Sequence, residues 1–111
     1  MKTSVDDIDQ ARLQNRFATL GLTPILDAKP RDRTTLGGEV KRLRIAPRSG
    51  NPSLEVMVDD GTGSFYVVFT GRTALGGMHP GRGIAVEGVC HLERGRLVML
   101  NPAYTLLPDS L

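Results

Sequence analysis

The chain has one cysteine, no tryptophan, two tyrosines and three phenylalanines among 111 residues. A single thiol, Cys90, rules out an internal disulfide and fits a reducing compartment. It sits among apolar residues of a strand-like segment and reads as a small buried hydrophobe, not a nucleophile. No apolar run approaches the ~18 residues that a bilayer span requires. The opening MKTSVDDIDQ lacks the apolar core of a signal peptide. Asn51-Pro52-Ser53 has glycosylation spacing, but its central proline excludes it. These absences give the expectation of a soluble, cytoplasmic protein.

Catalytic groupings are equally scarce. His79 and His91 stand apart, and Cys90 beside the second does not make a metal-ligand spacing. There is no Gly-x-Ser-x-Gly elbow and no Walker loop. Gly61-Thr62-Gly63 leads from one strand-like run into another, which makes it a hairpin turn and not a phosphate cradle. Asp59 and Asp60 are adjacent, so their side chains diverge in strand geometry and Asp60 reads as a turn residue. No catalytic residue, metal or cofactor is expected.

What the chain does have begins with Ser53 to Thr70, SLEVMVDDGTGSFYVVFT. Leu54, Val56 and Val58 alternate with polar or outward positions, Asp60-Gly61-Thr62-Gly63 follows, and Phe65, Val67 and Phe69 alternate again. Period-two patterning on both sides of an Asp-Gly turn predicts a β-hairpin with a common apolar side. Before it, Ser4 or Asp6 caps a helix over about residues 5–20, with Leu13, Phe17 and Leu20 as its stripe and Gly21 as its stop. The stripe is narrow and must pack on the chain's own barrel or on a partner. Residues 21–36, with Pro24 and Pro30, read as a connector. Gly37 to Ala46 is the first strand. Val40 and the pair Leu43/Ile45 have opposite parity, so a β-bulge is predicted near Lys41-Arg42, turning Arg42 and Arg44 outward. Residues 71–83 carry five glycines and a proline and hold at most one helical turn. Ile84 to Cys90 and Arg96 to Asn101 are the last two strands, with a turn over His91 to Gly95. Leu97 to Leu100 is continuously apolar, which predicts cover on both faces. The expected fold is all-β, a five-stranded Greek-key OB-fold barrel with an N-terminal α-helix. The helix and connector span 1–33, the barrel 34–107 and a tail 108–111.

The net charge of +2 is uninformative, but its distribution is not. Residues 29–48 hold Lys29, Arg31, Arg33, Lys41, Arg42, Arg44 and Arg48 against Asp32 and Glu39. Such a stretch either attracts a phosphate backbone or blunts a strand edge. In an OB barrel the loop after the first strand and the turn between the last two flank the central face. Arg42, Arg44 and Arg48 would then converge with Arg94 and Arg96 around an outward Tyr66, where a base can stack. A saccharide ligand calls for more exposed aromatics than two tyrosines supply.

Gly38-Glu39-Val40, Asp60-Gly61-Thr62-Gly63 and Asn101-Pro102-Ala103-Tyr104 resemble the OB wedge domain of RecG-type helicases and related anticodon-binding modules. Gly71-Arg72, Pro80-Gly81, Val86-Glu87-Gly88 and Gly95-Arg96 through Asn101-Pro102 are similar to small stand-alone actinobacterial OB-fold nucleic-acid-binding proteins. The likeness covers about residues 34–107. It implies nucleic-acid binding without catalysis. No helicase motor accompanies the barrel, so branch splitting is not implied. The candidate contacts for single-stranded or structured DNA or RNA are Lys41, Arg42, Arg44, Arg48, Tyr66, Arg72, Arg94 and Arg96. The competing class is a protein-interaction module, with self-association through the last strand or the N-terminal helix.

Overall fold

The structure, a computed structural model, describes residues 4–108. Part of the expected tail, residues 109–111, lies outside the described residues. Helix α1 (Val5–Phe17) starts at a reciprocal cap, in which the Asp7 amide donates to the Ser4 hydroxyl at 3.1 Å and the Ser4 amide donates to the Asp7 carboxylate at 3.4 Å. Leu13 and Phe17 are buried. The expected third stripe residue, Leu20, is exposed, because the helix ends at Phe17 and Gly21 closes the turn at φ +69°. A single 3-10 turn at Ile25–Asp27 interrupts the connector.

Six strands follow: β1 (Arg33–Arg48), β2 (Asn51–Asp59), β3 (Ser64–Thr70), β4 (Gly83–Glu93), β5 (Arg96–Leu100) and β6 (Ala103–Leu106). The first half of β1 pairs antiparallel with β4, from Arg33↔Val89 to Glu39↔Gly83. Its second half pairs with β2, from Glu39↔Asp59 to Arg48↔Asn51. The register shifts between Val40 and Arg42, at the bulge the parity change implies. The Val40 amide donates to the Arg82 carbonyl and the Val40 carbonyl accepts from the Gly81 amide, both at 2.8 Å, so the bend leaves that residue satisfied. β2 and β3 form the Asp-Gly hairpin, β3 pairs parallel with β5, and β5 pairs with β4. The order β1-β2-β3-β5-β4 therefore closes on itself through β1–β4, a barrel-like ring of five strands.

β6 is a strand the sequence reading omits. It continues along the β4 edge that β5 uses, one residue out of register, after a break at Asn101 in the left-handed region at φ +46°. Leu36, Val40, Leu54, Val56, Val58, Phe65, Val67, Phe69, Ile84, Val86, Cys90 and Met99 fill the ring. All six apolar positions read from the hairpin are among them. Ile25 joins this core from the 3-10 turn and Met78 from the 71–82 segment, where Leu75 and Met78 form a reverse turn without a helix. Burial holds the Cys90 thiol above its ordinary pKa, as expected of a packing residue. Among the described residues no helix is long and apolar enough to cross a membrane.

The helix docks on the barrel itself. Gln14 donates to the Gly61 carbonyl at 3.0 Å, and Arg16 donates to the Gly81 carbonyl at 3.1 Å.

Candidate functional site

Strand alternation sends Leu54, Val56 and Val58 inward and therefore Glu55 and Met57 outward. The pairings then set two rows across the outer face of the ring. One runs Arg42, Met57, Tyr66, Val98, His91; the next runs Arg44, Glu55, Val68, Leu100. Val68 and Val98 are buried although they point outward, and they give the face an apolar floor. Leu97 is half-buried and Leu100 is exposed, so the expected double cover of the last strand holds only for Val98 and Met99.

Around this floor the arginines gather. Arg42 reaches the Tyr66 hydroxyl at 3.4 Å. Arg96 lies over the Tyr66 ring with its guanidinium carbon 4.3 Å from the centroid, a cation–π contact. Glu55 holds Arg44 at 3.1 Å and Arg96 at 3.6 Å. Glu93 binds Arg48 and accepts from His91. The Arg48 hydrogen bond, then the His91 contact, holds the Glu93 carboxyl below its ordinary pKa. Arg44, Arg48, Glu55, Glu93, Arg94 and Arg96 line one concavity of about 460 Å³. Five guanidiniums thus meet two carboxylates on one face, and the excess is positive.

Two sequence candidates are not brought to this face. The bulge turns Lys41 toward α1, where it binds Asp9 at 3.1 Å and Glu39 at 3.2 Å. That is the physical consequence of the inserted residue, since its side chain leaves the alternation of its neighbours. Arg72 is exposed at the start of the 71–82 segment and has no ion pair among the described residues. That segment packs Leu75 and Met78 beside Leu43 and Leu54, and none of its residues lines the arginine concavity. Tyr66 is half-buried, and one face of its ring is occupied by Arg96. The planar surface offered to a ligand on that side is the guanidinium.

The sequence reading missed Glu55 and Glu93 as members of the cluster. Glu55 was accessible to it, because it faces Arg44 directly in the hairpin register. Glu93 depends on the β4–β5 turn geometry and carries no comparable local signal. Among the described residues no group of three or more His, Cys, Asp or Glu is placed to hold a metal ion. Compared with models of protein families the chain matches none, and compared with curated proteins it has no match.

Proposed function

We propose that the chain is a non-catalytic, cytoplasmic nucleic-acid-binding protein of the OB-fold type that holds single-stranded or unpaired DNA or RNA across its arginine-lined face. The observation that carries this reading is the convergence of Arg42, Arg44, Arg48, Arg94 and Arg96 around Tyr66 on one side of a closed ring. The strand succession, with a long bent first strand and a parallel β3–β5 closure, supports the OB assignment. Guanidiniums pair with phosphates bidentately and stack on bases, so one residue type serves both parts of a nucleotide. Base identity is weakly discriminated, because stacking tolerates any ring.

Fluorescence anisotropy with labelled oligonucleotides over a salt series tests this. Neutralising three or four phosphates on a single strand gives a log–log salt slope of about −2 to −3. The double variant Arg42→Glu, Arg44→Glu should lose binding and keep its oligomeric state. Absence of binding at low salt, or affinity indifferent to salt, would sink the reading. A protein-interaction role has one observation in its favour, the exposed Val89 and Leu100 on adjacent strands β4 and β5. Under that role the double variant leaves association unchanged and no oligonucleotide binds.

A further inference from the structure

Next to the arginine concavity lies a second one, of about 480 Å³. Three separate segments build it: Ile25, Leu26 and Ala28 of the connector, Ser64 and Tyr66 at the start of β3, and Leu92, Arg96 and Leu97 around the β4–β5 turn. Leu26 and Leu92 are 75% and 58% exposed. Scattered exposed leucines are ordinary on a protein surface. Two of them from distant segments, lining one concavity beside a cation cluster, are a local feature that asks for a ligand.

The connector lip of this concavity is fixed. The Ile25 amide donates to the Asp60 carboxylate at 2.9 Å, and the Leu26 amide donates to the Thr62 hydroxyl at 3.1 Å. Asp60 in turn accepts from the Thr62 hydroxyl at 2.6 Å, so the lip is tied to the tip of the β2–β3 hairpin. A surface held in place before the ligand arrives loses little entropy on binding. Arg96 is the common wall: it lines both concavities.

We infer that the apolar concavity receives one unpaired nucleobase of a bound strand, with the ring set against Leu26, Leu92 and the Arg96 guanidinium. The neighbouring phosphates lie on Arg44, Arg48 and Arg94. This rests on the nucleic-acid reading above and adds which part of the strand goes where. A nucleotide is a flat ring with apolar faces joined to an anion, and these adjoining concavities, one apolar and one cationic, match that division. An apolar side chain of a peptide would satisfy the leucines alone and leave the guanidinium cluster without a counterpart.

The test compares a labelled thymidine oligonucleotide with an abasic sugar-phosphate strand of equal length at low salt. The protein and its Leu26→Ser, Leu92→Ser variant are measured side by side. Both positions are exposed, so the variant keeps its core. The unaltered protein should prefer the base-bearing strand by about tenfold. In the variant the preference should fall to within about twofold while affinity for the abasic strand stays the same. Equal binding of both strands by the unaltered protein, or a preference that survives in the variant, overturns the base pocket and leaves the nucleic-acid reading standing. Failure of the unaltered protein to bind either strand overturns both.

Discussion

Arg94 adopts a left-handed backbone, φ +51°, at the first position of the two-residue turn that joins Glu93 to Arg96, and Gly95 follows at φ +79°. Two consecutive positive φ values mark the hairpin turn that favours Asn-Gly, and a long L side chain in the first place costs about 1 kcal/mol. Strained residues of this kind gather where a side chain is needed for a task other than folding. The Arg94→Asn variant is therefore expected to gain about 0.5–1 kcal/mol of stability in urea unfolding and to bind single strands more weakly. If affinity does not change, the guanidinium at that position has no part in binding. Ser49-Gly50 makes the same turn at the tip of the β1–β2 hairpin, φ +50° and +80°, so the geometry itself is shared and only the choice of arginine is particular to the site.

At the scale of elements, the tip of the β2–β3 hairpin joins the barrel to everything N-terminal of it. Gly61 sits at φ +89°, and a Cβ there would lie 2.3 Å from the Gln10 carbonyl of α1. Neither the backbone conformation nor the space admits alanine. Gly61→Ala is expected to cost about 2–4 kcal/mol and to release the helix. Hydrogen exchange checks this by comparing α1 amides with those of β2 and β3; equal protection in the variant would disprove the docking role. The hairpin was legible in the sequence because period-two alternation and Asp-Gly are local signals. The bulge was legible because Val40 and Leu43 disagree in parity. β6 was not: Pro102 reads as a terminator, and only the free edge of β4 makes Ala103–Leu106 a strand. The helix end was misplaced because Leu20 continues the spacing while the backbone has already turned at Ala18. The gathering of Arg42, Arg44, Arg48, Arg94 and Arg96 followed from strand order alone. The diversion of Lys41 did not, because a bulge residue's direction depends on what packs beside it.

Across the whole molecule, one ionic network joins helix, bulge and crossing segment. Glu39, 8% exposed, accepts from Arg12 at 2.7 Å, Arg16 at 3.2 Å and Lys41 at 3.2 Å, and Asp9 accepts from Arg12 at 2.7 Å and Lys41 at 3.1 Å. Burial opposes ionisation of Glu39, but the hydrogen bonds from Arg12 and Lys41 outweigh it and hold the carboxyl below its ordinary 4.5. Asp9 is held below its ordinary 3.8, first by Arg12 and then by Lys41. Carboxylates depressed in the folded state bind fewer protons there than when unfolded. Their contribution is complete above about pH 5 and is lost as pH falls through the folded values. Urea unfolding should thus give constant stability from about pH 7 to pH 5 and a decline below. Glu39→Gln should cost about 2 kcal/mol near neutrality, less than a fully buried pair because Arg12 is half exposed, and should flatten the acid decline. Parallel pH curves for the two proteins would show that Glu39 is not the group responsible.

The carboxylates on the arginine face carry a different consequence. Arg44 and Arg96 already hold Glu55, and Arg48 already holds Glu93. An arriving strand would have to swap one anion for another at three of the five guanidiniums, and exposed ion pairs of this sort are individually worth only about 0–1 kcal/mol. The resulting hold would be modest and quickly reversible, suited to a protein that samples a polymer and moves on.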